Sequence, residues 1–400
     1  MGEARQDLLE IFAAALEAVR GDRVVAQALQ QARLTGDWHV VAIGKAAAAM
    51  WQGAREVLGG QIRASLVITK HGHAEALSPQ EGLELIESDH PVPGAASLEA
   101  GRRLLDFLKR APADARFLFL VSGGASSLVE VLPEGMTAGQ LAQLNTWLLG
   151  SGLDIAAMNA VRKRVSRIKG GGLLRWVGTR EGRCLLISDV PGDDPAVIGS
   201  GLLVPGDAPL PDGLPDWVGA LIEADAALPS SSTRCEVIAN RTRALEAAAE
   251  TARQLGYRVE LAPDLLSGDA GATGAALGAR LRDAAPGVYL WGGETTVRLP
   301  PQPGRGGRNQ HLALGAARAL AGAAGAYLLA AGTDGTDGPT DDAGALVDGQ
   351  TTERMALDGI EARDALVRAD AGTALEAAGD LVRTGPTGTN VMDLVIGLKT

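Results

Sequence analysis

Residues 117–127 read FLFLVSGGASS: five apolar residues in unbroken succession from Phe117 to Val121, then Ser122, Gly123, Gly124, Ala125, Ser126 and Ser127. A strand that is apolar on both sides is buried on both faces, the habit of a mostly parallel sheet covered by helices. A glycine pair flanked by hydroxyls directly after such a strand leaves amides unobstructed by side chains, which suits phosphate or carboxylate oxygens. The same letters also make an ordinary Ser/Gly helix cap. Similar strands are expected at 39–44, 66–70, 83–87, 184–190, 236–240, 257–261, 288–292, 326–331 and 392–397. Ala- and Leu-rich helical patterns lie between them, for example at 46–58, 97–110, 241–255 and 309–321. The alternation predicts α/β layers joined by right-handed crossovers.

At 400 residues the chain exceeds the size at which one core stops growing, so two domains are expected. The joint falls in the segment LPSSST, 228–233, which follows Pro205, Pro209, Pro211 and Pro215 and precedes a fresh strand–helix–strand unit. The expected domains are 1–232 and 233–400. Aromatic residues make up only 3%, so the cores must be packed with Ala, Leu, Val and Ile. The net charge of −11 argues against nucleic acid or an anionic membrane as partner. The N-terminus reads as an amphipathic helix, not a signal peptide, and no apolar run is long enough to span a membrane, so a cytoplasmic location is expected. Cys184 and Cys235 read as separate buried small residues. Only six of the 37 basic residues are lysines, which makes a lysine in a glycine-rich loop conspicuous.

The residues after each strand matter most, because open α/β sheets gather ligands at the carboxyl ends of their strands. Lys45 follows Gly44 and opens a helix whose N-terminus favours anions; the loop is not a Walker A sequence, since His39 and Ala46 stand where Gly and Ser/Thr would be needed. After Asp154, the residues Asn159, Arg162, Lys163 and Ser166 share one helical face, with Ile155, Met158, Val161, Val165 and Ile168 on another. That polar stripe, continued by Lys169, is either an anion site or a solvated surface. Asp189, Asp193 and Asp194 follow a strand beside Gly and Pro, as magnesium ligands or Asx turns do. In the second half, Glu294 follows Gly292-Gly293. Gly304 to Gln310 opens a helix with Arg305, Gly306, Gly307 and Arg308, placing two guanidiniums and unclaimed amides where an anion could sit, and Asp334 and Asp337 follow another strand. His90 reads as a loop-positioning residue. No GxSxG elbow and no GxGxxG fingerprint occurs, which disfavours hydrolase and dinucleotide chemistry.

The motifs AIGKAA, DHPVP, VSGGASSL, NAVRKRVSRIKGGG, ISDVPGDDPAVIGSG, WGGETTV, GGRNQ, AAGTDGTDGPTDDAG and TGPTGTNVMDL, in this order, resemble the glycerate 2-kinase (type II glycerate kinase) family across essentially the whole chain. Members often carry the older name hydroxypyruvate reductase and end in a MOFRL-type domain. The resemblance implies two α/β domains, a larger Rossmann-like N-terminal one and a smaller C-terminal one with the active cleft between them. It also implies transfer of the ATP γ-phosphoryl group to the 2-hydroxyl of D-glycerate, giving 2-phosphoglycerate. The family's active-site Lys and Arg fall on Lys45 and Arg308. On this reading Ser122, Gly123, Gly124, Ser126, Asn159, Lys163, Gly306 and Gly307 bind substrate or phosphate, and Asp189, Asp193 and Asp334 are the candidates for Mg²⁺. The alternatives are an NAD(P)H-dependent hydroxypyruvate reductase and a non-catalytic protein binding a sugar acid or nucleotide. A homo-oligomer is left open.

Overall fold

The computed structural model describes all residues except 1, 75, 76, 79, 207, 208, 223–227 and 230, and the side chain of Ile155. Ser230, within the expected linker, therefore lies outside the described residues. The chain forms two compact units, Gly21–Ile238 and a second composed of Met1–Arg20 with Ala239–Thr400.

The first unit is built on a six-stranded sheet. Its strands are β1 (Trp38–Ile43), β2 (Ile62–Lys70), β3 (Leu83–Ser88), β4 (Arg116–Val121), β5 (Gly182–Ile187) and β6 (Arg234–Ala239), in the spatial order β3-β2-β1-β4-β5-β6. β1 to β5 pair in parallel. This is the Rossmann order, in which the chain reverses direction across the sheet between β1 and β4 and leaves a crevice at their carboxyl ends. The unbroken apolar runs are buried as expected: Val40, Val41, Ala42, Phe117, Leu118, Phe119 and Leu120 are all fully buried. Leu104 and Leu108 from the helix Ala95–Arg110 close one face over Phe117, Phe119 and Val41.

The second unit also carries a six-stranded sheet, formed by β7 (Val259–Leu261), β8 (Gly287–Gly293), β9 (Ala326–Gly332), β10 (Gly344–Asp348), β11 (Leu381–Val382) and β12 (Asp393–Lys399), in the order β11-β10-β9-β12-β8-β7. Only β7 and β8 pair in parallel among the registered pairs; β12 runs antiparallel between β8 and β9. Both units are α/β, but the second sheet is mixed and not mostly parallel. Antiparallel insertion of β12 brings its first residue, Asp393, beside Gly293 and Gly332 at the ends of β8 and β9. β10 and β11 have no counterpart among the sequence-expected strands, being five and two residues long behind a loop rich in Gly, Thr and Asp.

The N-terminal helix, Glu3–Val19, buries Leu8, Ile11, Phe12, Ala15 and Val19, the helical stripe its sequence promised. That stripe cannot say what it packs against. The helix belongs to the second unit, where Arg5 donates to Asp348 (2.5 Å), Asp380 (2.8 Å) and the Leu346 carbonyl (2.9 Å). The expected division at 232/233 thus differs from the compact units in two ways, the joint at 238/239 and the return of the first twenty residues to the second unit. Arg5→Met is expected to destabilise that unit by roughly 1–3 kcal/mol, since it strips charged hydrogen bonds from a half-buried network. Hydrogen exchange by mass spectrometry should show faster exchange in β10, with β1 to β5 unchanged.

Candidate active site

At the β1–β4 switch point the backbone of two loops is locked together. Gly44 has φ +133°, and a Cβ there would lie 2.1 Å from the Ser122 Oγ. Glycine is required for that approach. The Ser122 Oγ accepts from the Ala46 amide (3.0 Å), the Ser122 amide donates to the Ile43 carbonyl (3.0 Å), and the Lys45 amide donates to the Gly123 carbonyl (2.9 Å). Thr69 Oγ1 ties the same loop to β2 by donating to the Gly44 carbonyl (3.0 Å). Lys45 is consequently held at the start of the helix Ala47–Leu58, half-buried, its stem running over Gly124 beside His90. Among the described residues no acceptor takes the Gly123 or Gly124 amide. Ser122, expected to bind phosphate, is fully buried, and its hydroxyl accepts from the Ala46 amide beside Lys45.

Beside Gly124 lies a cavity of about 460 Å³, within this one unit, whose wall includes Gly124, Ser126, Asn145, Asn159, Arg162 and Asp189. Of the sequence-expected residues it gathers Gly124, Ser126, Asn159 and Asp189; Ser126 Oγ shares a 2.7 Å hydrogen bond with Ser200 Oγ. The basic stripe after Asp154 is divided. Its helix, Ile155–Arg164, ends before Ser166, and the chain turns back through Gly170 and Gly171, both at positive φ. Lys169 is buried against Glu130 at 2.5 Å, and Ser166 donates to the same carboxylate. Lys163, expected to bind substrate, is not on the cavity wall. Its ammonium donates to the Ala196 carbonyl (2.8 Å), bracing the loop after Asp194. Burial pulls the Lys163 and Arg162 pKa values down.

The second unit has its own polar centre. Arg308, at the first turn of the helix Arg308–Leu320, makes a two-pronged pair with Asp393 (2.6 and 3.0 Å) and a further pair with Glu294 (2.9 Å). Burial opposes its charge, but Asp393 and Glu294 outweigh that and hold the guanidinium well above its ordinary pKa. Two amides at this helix N-terminus are taken from within the unit: Asp337 accepts from the Asn309 amide (3.0 Å) and the Gln310 amide (2.8 Å). Gly307 gives room for this internal anion, because a Cβ there would meet the Asp337 carboxyl at 2.3 Å. Gly306, at φ +144°, instead abuts the Gly372 amide. Arg305 pairs with Asp342 and Glu376. Burial pushes Asp337 up to about 7, against the pull of the two amides and with a push from Asp393.

The three proposed magnesium ligands are divided between the two units. Asp189 lies on the cavity wall, Asp193 occupies a turn at φ 56°, and Asp334 belongs to the other unit, where Oδ1 accepts from the Thr336 amide. Among the described residues no group of three or more His, Cys, Asp or Glu could hold a metal. Sequence reasoning overlooked Asn145, Glu130 and Asp393. Glu130, a lone acid in the apolar VEV, was the one visible signal for a buried ion pair. The cysteines also differ from expectation: Cys184 and Cys235 stand on neighbouring strands and their thiols hydrogen-bond, which with burial raises the Cys184 pKa.

A Rossmann-ordered unit whose switch-point loop carries Lys45, and a mixed α/β unit with an Arg–carboxylate centre, define a two-unit α/β protein of the kind that binds small molecules at strand ends. Residues 7–214 match a domain of unknown function (DUF4147) and residues 287–393 match the MOFRL family. A D-glycerate 2-kinase of Thermotoga maritima is 37% identical over 98% of this chain and 97% of its own. A protein of Agrobacterium vitis with a provisional hydroxypyruvate reductase name is 39% identical over 98% of this chain and 93% of its own. The crystal structure of a glycerate kinase from Thermotoga maritima superposes with a TM-score of 0.87 at 36% identity, covering 99% of both chains. The chain belongs to the glycerate kinase family.

Two outcomes follow from these networks. Lys169→Met should cost roughly 3–5 kcal/mol in urea unfolding, because it strands the Glu130 charge in the interior, and adding Glu130→Leu should restore most of it. Asp337 favours its protonated form in the folded state, so its stabilising effect is complete below its unfolded value of 3.8 and fades as pH rises to about 7. The unfolding free energy of the wild type should therefore fall more steeply over that range than that of Asp337→Asn.

Proposed function

We propose that this protein is an ATP-dependent kinase acting on the 2-hydroxyl of D-glycerate, with 2-phosphoglycerate and ADP as products. The observation that carries the reading is Lys45, held by the Gly44–Ser122 lock over the unclaimed amides of Gly123 and Gly124. Phosphoryl transfer asks a protein for positioning and charge neutralisation, and a lysine beside two free amides offers both. The glycerate names of full-length relatives select the acceptor.

In this reading the acceptor oxygen bonds to the γ-phosphorus as the bond to the β–γ bridging oxygen breaks, and the hydroxyl proton is released. Lys45 and the Gly123 and Gly124 amides stabilise charge on the transferred group. Arg308 takes a second anionic group of the reactants, with Asp393 and Glu294 fixing its guanidinium plane. Magnesium, when bound, draws charge from the phosphate oxygens. A single carboxylate fits this ion, which keeps most of its shell as water and phosphate. Asp189 suits that role best, since it alone of the three candidates lines the cavity beside Gly124. ATP use points to the cytoplasm; among the described residues no helix is long and apolar enough to cross a membrane.

The test is ³¹P NMR of the purified protein with ATP, Mg²⁺ and D-glycerate. The 2-phosphoglycerate resonance is expected. Formation of 3-phosphoglycerate, or of no phosphorylated acid, would sink the proposal, as would NADH consumption with hydroxypyruvate in its place. Lys45→Met and Arg308→Met, each still folded, should lower kcat at least about a hundredfold.

A further inference from the structure

The cavity beside Gly124 contains one donor that the fold leaves without an acceptor and one cation that it leaves without a counter-ion. Asn145 is 7% exposed, and its Nδ2 has no hydrogen-bond partner. The Arg162 guanidinium is more than half withdrawn from water, yet its one hydrogen bond is a long contact to Asn159 Oδ1 (3.4 Å), and no carboxylate among the described residues pairs with it. A buried amide donor and a half-buried cation without a counter-ion each raise the free energy of the empty site. The other charges on the wall do not relieve Arg162: Lys169 and Glu130 satisfy each other, and Asp189 is not within ion-pair distance of it. Most of the remaining wall is apolar, with Leu141, Leu144 and Val165, and the exposed side chains of Val92, Leu149 and Val197 belong to the same lining. Apolar surroundings strengthen a charge–charge contact made inside them.

We propose that this cavity is the acceptor pocket, in which Arg162 and Asn145 bind the carboxylate of a small 2-hydroxy acid while Asn159 and Ser126 face its hydroxyls. The inference rests on the glycerate kinase reading and adds to it the residues that recognise the acid. A carboxylate suits the site better than a neutral sugar, because only an anion supplies the missing counter-charge. The amides of Gly123 and Gly124, at the edge of this cavity, are left for phosphate groups of the nucleotide.

The experiment separates the two substrates. Steady-state kinetics of the wild type, Arg162→Gln and Asn145→Asp are measured with D-glycerate and ATP varied in turn, and with the neutral amide of glycerate as an alternative acceptor. Arg162→Gln should raise KM for glycerate at least about tenfold, leave KM for ATP within about twofold, and erase the preference for the acid over its amide. Asn145→Asp, which sets a second anion beside the first, should raise the glycerate KM at least as much. Melting curves confirm folding, and if Arg162→Gln does not fold, Arg162→Lys with the same acid-to-amide comparison replaces it. A rise in KM for ATP alone would make the cavity a nucleotide site and overturn the proposal. Unchanged constants for both substrates would overturn it too. Absence of glycerate phosphorylation by the wild type would instead defeat the underlying kinase reading; calorimetric titration of the wild type and Arg162→Gln with D-glycerate then decides the pocket, with loss of binding in the variant expected and equal binding contradicting it.

Discussion

Everything at the candidate site depends on one close contact, the Ser122 hydroxyl lodged where a side chain on Gly44 would stand. That contact is possible only because position 44 has no Cβ. It draws the loops after β1 and β4 together at the point where the sheet reverses direction. The Ala46 amide, which would otherwise be one of the unpaired donors of a helix start, is thereby satisfied from within. Lys45, one residue earlier, cannot drift from the Gly123–Gly124 turn because its own amide is tied to the Gly123 carbonyl. Preorganisation of this kind costs nothing at the moment of reaction, and the proposed role of Lys45 rests on it.

The two units meet their charges in opposite ways. In Gly21–Ile238 the cavity keeps one buried pair, Lys169 with Glu130, as structure and leaves Arg162 and Asn145 unspent. In the unit holding Ala239–Thr400 nearly every charge is already balanced: Arg308 by Asp393 and Glu294, Arg305 by Asp342 and Glu376, the helix amides by Asp337. Arg308 is shared between two carboxylates, which fix the plane of its guanidinium.

Much of this was legible in the sequence. All ten expected strands exist, because continuous apolar runs such as FLFLV can be nothing else in a two-faced sheet, and the loops after β1, β4 and β5 do carry Lys45, Gly124 and Asp189. What periodicity could not reveal was partnership. Ser166 and Lys169 continued a basic stripe on paper, but the helix stops at Arg164, and both turn inward to Glu130. The Asn309 and Gln310 amides looked vacant until Asp337, 27 residues beyond Gln310, folded back onto them. Asp393 became a site residue only through the antiparallel insertion of β12, a topological choice no local pattern encodes. The N-terminal helix announced a buried stripe and kept silent about its partner.

The most direct test of the central claim is the turnover of Ser122→Ala with ATP and D-glycerate, set beside its melting temperature. The hydroxyl is removed while the space at Gly44 is kept. If the lock positions Lys45, kcat should fall at least about tenfold with the fold retained, since small misplacements at a reacting centre are that costly. Wild-type turnover in a fully folded Ser122→Ala would show that Lys45 does not need the lock, and the account would fail at its foundation.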